Sequence, residues 1–149
     1  MRIAVASDHA GFSLKERILH FLSSEGHQVL DLGTHGPESV DYPDYAREVA
    51  LRVSQGEADL GVLVCGTGLG MAVVANKFKG VRAVAVHHEF VARQAKEHLD
   101  ANILCLGARV VGEGLALEIL KAWLNSGFEG GRHSRRLEKL KAIEEENLR

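Results

Sequence analysis

Proline, cysteine and aromatic residues are scarce in this 149-residue chain: 2 Pro, 2 Cys and only 1 Trp, 2 Tyr and 5 Phe. Two cysteines cannot form a disulfide framework. Cys65 and Cys105 each sit inside an apolar, strand-like run, which reads as reduced thiols in a cytoplasmic protein. No apolar run approaches the roughly 18 residues of a membrane helix. The opening Met1–Ala6 segment is stopped by Ser7-Asp8-His9, too short for a signal-peptide core, so neither export nor membrane insertion is expected. Charge of one sign is lacking too: 18 Lys and Arg against 20 Asp and Glu leave −2. No broad field is available to attract nucleic acid or an anionic membrane, and any anion must be held by a local cluster.

What is present is an ordinary globular composition, 46% hydrophobic and 26% charged, of a length suited to one domain over residues 1–149. The apolar period switches repeatedly between two and 3.6. Strands are predicted at Arg2–Ser7, Gln28–Leu32, Leu60–Cys65, Val81–Val86 and Ile103–Leu106. Helices are predicted from Phe12 to about Gly26, Tyr42–Ser54, through Ala72–Ala75, Glu89–His98, Leu115–Asn125 and Arg132–Leu148. Parallel neighbours need crossover connections, so the pattern implies an α/β, doubly wound, Rossmann-like five-stranded parallel sheet with helices on both faces. The last helix, 132–149, follows no strand pattern and has no place within that sheet. It is expected to pack on a partner subunit.

Ligands in such folds bind beyond the carboxyl ends of the strands where the order reverses, which a flavodoxin-like order places between the first and third strands. Those strands run into Ser7-Asp8-His9-Ala10-Gly11 and Cys65-Gly66-Thr67-Gly68-Leu69-Gly70, the most polar and glycine-rich ends in the chain. Nine of the 16 glycines follow strands, at 11, 33, 36, 66, 68, 70, 107, 112 and 114. The 66–70 loop opens a helix, so its N–H groups form an anion cradle. Nucleotide fingerprints fail: no Gly-Lys-Ser/Thr follows, and Met71 stands where a dinucleotide loop needs glycine. A smaller oxyanion is the better ligand.

Cys65, beside that cradle, is either a base or nucleophile or a strand-end filler; Cys105 reads as filler. His98 ends a helix and is either a capping residue or an acid. His87-His88-Glu89 lacks the second histidine of a zinc-protease pattern, finding Ala92, and no metal is expected. Arg132 and Arg136, four apart on one helix, suit a phosphate or carboxylate, against the plainer reading of a solvated face. Arg109 is a further donor at the strand-end edge.

Taken in order, Ser7 to Gly11, Asp41-Tyr42-Pro43, Cys65 to Gly70, Ala75-Asn76-Lys77, Gly80-Val81-Arg82-Ala83, His98, Gly107-Ala108-Arg109 and Gly130-Gly131-Arg132-His133 resemble the type B ribose-5-phosphate isomerases, a family that includes galactose-6-phosphate isomerase subunits. The resemblance spans almost the whole chain. It implies a cytoplasmic enzyme of the pentose phosphate pathway that interconverts ribose 5-phosphate and ribulose 5-phosphate through an enediolate, with no cofactor. It further implies Cys65 as base, Thr67 as hydroxyl-proton shuttle and His98 as ring-opening acid. Asp8 and His9 would bind the sugar, the backbone of Gly66, Thr67, Gly68, Leu69 and Gly70 the enediolate, and Arg109, Arg132 and Arg136 the phosphate. The assembly would be a homodimer or homotetramer with shared sites. Where the family has Asn after the histidine, Leu99 stands here, with Asn102 as a candidate substitute. That departure keeps open a six-carbon sugar phosphate (allose or galactose 6-phosphate) as substrate, and beyond it a non-catalytic phosphosugar-binding protein.

Overall fold

The protein is described by a computed structural model covering residues 1–148. Five parallel strands, β1 (Arg2–Ser7), β2 (Gln28–Asp31), β3 (Leu60–Cys65), β4 (Ala83–Ala85) and β5 (Ile103–Gly107), form one sheet in the order β2-β1-β3-β5-β4. Between and after them come α1 (Phe12–Ser24), α2 (Tyr42–Ser54), α3 (Leu69–Ala75), α4 (Glu89–Leu99), α5 (Glu113–Leu124) and α6 (Arg132–Asn147). The expected α/β, doubly wound architecture is present.

Strand alternation divides the core in two. Ile3 and Val5, Val62 and Val64, Leu104 and Leu106 face α1, α4 and α5, where Ile18, Leu22, Ile119, Leu120 and Trp123 complete the packing. Ala4 and Ala6, Leu63 and Cys65, Ile103 and Cys105 face α2 and α3. This second face is lined by small side chains, so the helices come close. A Cβ on Gly61 would stand 2.5 Å from Val49 Cγ1.

Two expectations need correction. The flavodoxin-like order would leave β5 at the edge, whereas β5 lies beside β3 and β4 takes the edge. Burial explains the exchange: all five residues of β5 are buried, but only Ala83 of β4 is. The predicted strand Val81–Val86 is correspondingly shorter. Arg82 still accepts from the Asn102 N–H through its carbonyl (3.1 Å), but its own N–H is taken by Asn102 Oδ1 (2.7 Å) in place of a ladder carbonyl. The β1/β3 neighbourhood survives the exchange, and the register now sets Cys65 opposite Gly107.

The tail helix α6 buries only His133 of its own residues, leaving Leu140 and Ile143 exposed. It is pinned to the body through Glu129, whose N–H donates to the Glu97 carbonyl (3.0 Å), and through Glu144, which accepts from the Gly80 N–H (2.9 Å).

Candidate active site

At the carboxyl edge of the sheet, β1 and β3 deliver two polar loops side by side. The buried Asp8 carboxylate accepts from the Gly11 N–H at 3.1 Å, and the Asp8 N–H donates to the Val64 carbonyl at 3.2 Å, tying the first loop to β3. Glycine is required at 11 because a Cβ would meet the Val64 carbonyl oxygen at 2.6 Å. His9 Nδ1 accepts from the Val40 N–H (3.1 Å), so the neutral ring carries its proton on Nε2, free to donate.

Cys65 closes β3 with 5% of its surface exposed. Its Sγ accepts from the Gly68 N–H at 3.1 Å, and the loop can turn back on the sulfur because Gly68 adopts φ +82°, the left-handed region. Thr67 Oγ1 accepts from the Leu69 N–H (3.3 Å), which leaves its own proton available to a ligand. The β5 end clamps the loop from the other side: the Ala108 N–H donates to the Cys65 carbonyl (2.8 Å) and the Arg109 N–H to that of Gly66 (3.0 Å). The strand exchange therefore brings Arg109 to the cradle. Tyr42, at the start of α2, lies over Gly70, where a Cβ would be 2.4 Å from its ring. Cys105 lies fully buried behind Cys65, and burial pushes its thiol well above the ordinary range, consistent with a filler.

The remaining predicted residues are elsewhere. α4 leaves the carboxyl edge and runs back along the sheet, so His98 near its end lies at the amino edge, away from the cradle. There its ring stacks on that of His133, with centroids 4.1 Å apart and planes 13° from parallel. Glu129 Oε1 is 3.6 Å from Nε2 of both rings. Arg132 and Arg136 occupy the same edge, exposed on α6. One chain thus brings together Asp8, His9, Cys65 to Gly70 and Arg109, and separately His98, Arg132 and Arg136. Asn102 is not a substitute for the family asparagine, because its amide is spent on the Arg82 N–H (2.7 Å) and the Gly80 carbonyl (2.8 Å). Leu99 is 40% exposed beside His98.

Sequence reasoning assigned no role to Tyr42, Glu129 or His133. A signal existed for Tyr42, since Pro43 in the first turn places it at the helix start, against the glycine loop. His98, Glu129 and His133 also offer ligating atoms within 4.8 Å of one another, a possible divalent-cation set. Arg132 and Arg136 add positive charge at this point and disfavour a cation there.

A buried thiol against a backbone cradle, flanked by a carboxylate, an imidazole donor and an arginine, is equipment for moving protons on a small anionic substrate. The class so defined is that of the sugar-phosphate isomerases. A profile of the family described as Ribose/Galactose Isomerase matches residues 3–140, and the chain belongs to that family. It is 48% identical to the ribose-5-phosphate isomerase B of Escherichia coli over 97% of each chain. The type B enzyme of Clostridium thermocellum superposes with a TM-score of 0.96 at 51% identity, covering 98% of this chain and 99% of that one. The Mycoplasma genitalium enzyme, solved with bound ribulose 5-phosphate, gives 0.95 at 42% identity over 98% and 97%.

Proposed function

We propose that this isomerase interconverts ribose 5-phosphate and ribulose 5-phosphate, as a step of the pentose phosphate pathway in the cytoplasm. The observation that carries the reading is the Gly68 N–H aimed at Cys65 Sγ at 3.1 Å, a donor beside the atom that must take up charge. Cys65 removes the C2 proton of the open-chain aldose and returns it to C1. The loop N–H groups of Gly66, Thr67, Gly68, Leu69 and Gly70 face the enediolate oxygens, that of Leu69 exchanging its present side-chain acceptor for substrate and that of Gly68 being shared with Cys65 Sγ. Preorganised donors of this kind contribute about 3 kcal/mol each to the transition state. Thr67 carries the hydroxyl proton between O1 and O2, while Asp8 and His9 hold the sugar.

His98, as imidazolium, protonates the ring oxygen of the furanose as the C1–O4 bond breaks and the O1 proton leaves to water. Arg109, Arg132 and Arg136 hold the phosphate. Since His98, Arg132 and Arg136 lie at the opposite edge from Cys65, the complete site takes residues from two copies, in a homodimer or a larger assembly. The unpartnered apolar residues Phe90, Val91 and Leu99 on α4, with Leu140 and Ile143 on α6, support such an interface and a partner for the tail helix. Leu99 supports a second reading, a six-carbon sugar phosphate, because an apolar side chain replaces a polar contact.

Comparing kcat/KM for ribose 5-phosphate with allose and galactose 6-phosphates decides between these. A preference for a six-carbon substrate would overturn the first reading, and absence of turnover with all three would overturn both.

A further inference from the structure

Beside His98 lies a polar arrangement that neither phosphate binding nor enediolate formation uses. His133 is 5% exposed, yet its Nε2 has no hydrogen-bond partner among the described residues. A buried polar atom left in this state costs of the order of 1–3 kcal/mol unless the surroundings use it. Its ring lies face to face with His98, and the Glu129 carboxylate stands 3.6 Å from both Nε2 atoms. The Glu129 backbone is anchored by its N–H on the Glu97 carbonyl, which places its carboxylate beside the buried ring and the partly exposed one.

We propose that Glu129 and His133 are positioning residues for His98, fixing its ring plane and directing to it the single proton that the stacked pair can carry. This deepens the assignment of His98 as ring-opening acid and rests on it. Two imidazolium rings 4.1 Å apart repel, so the stacked pair does not carry two protons at once. The buried ring is the poorer host: burial, then His98 and Arg132, with Arg136 as well, hold His133 below the ordinary histidine range against the pull of Glu129. His133 is thereby kept as the neutral ring of the stack, and His98 is the ring left open to solvent.

The charged groups around the pair are Glu129, Arg132 and Arg136 from the tail segment and Lys96, Glu97 and Asp100 from the α4 end. Lys96 is engaged over the Trp123 ring (4.7 Å) and Asp100 with Arg82 (3.7 Å), and Glu129 is the carboxylate that stands 3.6 Å from Nε2 of both rings.

Substrate chemistry separates this role from the rest. Ribose 5-phosphate enters as a furanose and must be opened, whereas ribulose 5-phosphate cannot close a five-membered ring because its C5 oxygen carries the phosphate. Exchange of its C1 proton with deuterated solvent therefore requires Cys65 but no ring opening. On the full-length enzyme, Glu129→Gln is expected to move the alkaline limb of kcat/KM for ribose 5-phosphate to lower pH, because a nearby carboxylate favours the charged imidazolium. His133→Gln is expected to cut that kcat/KM at least tenfold. Both should keep C1 exchange of ribulose 5-phosphate within twofold of the parent, a result that also shows the variants are folded. A pH profile unmoved in Glu129→Gln, or exchange lost in step with isomerisation, overturns the proposal. His98→Asn is the control for the underlying reading: if it opens ribose 5-phosphate at the parent rate, both fall. If it is impaired while the Glu129 and His133 variants are not, only the positioning role falls.

Discussion

Substituting Gly107 by alanine tests the idea that the end of β5 holds the catalytic loop in place. Gly107 has an ordinary backbone conformation, so alanine brings no φ strain, but its Cβ would lie 2.7 Å from the Thr67 carbonyl carbon and 2.8 Å from Thr67 Cα and O. These are backbone atoms that no rotamer change can withdraw. Restoring an ordinary contact requires the loop and strand to part by about 0.7 Å. Overpacking on that scale costs ~1–3 kcal/mol of stability. Misplacing catalytic groups by nearly an ångström costs between ten- and roughly a hundredfold in rate. The expected result is a lower urea midpoint and kcat down by that factor, with a smaller rise in KM because Arg109 shifts with the strand end while the arginines on α6 are untouched. Gly114→Ala in α5 is the control: nothing lies within 4 Å of its Cβ, so stability stays level or rises by up to ~1 kcal/mol. Parent-like kcat in a folded Gly107→Ala enzyme would refute the clamp.

Other outcomes follow from the same structure. Cys65→Ala should abolish both isomerisation and C1 exchange while retaining phosphosugar binding, measurable by calorimetry. Cys65→Ala and His98→Asn proteins, each inactive on ribose 5-phosphate, should regain up to about a quarter of parent activity when unfolded together and reassembled as dimers, because half the dimers then contain one intact site; no recovery would mean that one chain suffices. Lys15 is fully buried with Nζ 2.8 Å from Asp31 and 3.3 Å from Glu16, so Asp31→Ala should cost about 3 kcal/mol in chemical denaturation, whereas Lys15→Met should cost less than ~1.5. Partial burial draws Asp31 upward, but the Lys15 ammonium and the Gly33 N–H outweigh it and hold the carboxyl below its ordinary value. The associated stability is present above about pH 4 and is lost as pH falls further, and Asp31→Asn should flatten that acid limb.

Much of the fold was legible because its signals are local. Apolar period marks βα alternation directly, and Pro43 and Gly56 bracket α2 at the residues observed. Strand order is not local: Val81–Val86 and Ile103–Leu106 read as equivalent apolar runs, and a right-handed crossover permits either at the edge. Only the burial of both faces of β5 decides. For the site, motif order placed Asp8, His9 and the Cys65 to Gly70 loop together, and the structure does the same. That His98 belongs to the other edge was recoverable from topology, since a residue ending a crossover helix always lies near the start of the next strand. The stacking of His133 on His98 was not, because it depends on how a hinge at Gly130 and Gly131, both with positive φ, redirects the tail.

The separation of His98 from Cys65 by the depth of the sheet also bears on how the enzyme responds to its own abundance. Where a proton acceptor and a ring-opening acid must come from different molecules, catalysis is governed by mass action. On the proposed two-copy site, specific activity on the cyclic aldose is expected to fall in proportion to enzyme concentration well below the dissociation constant of the pair.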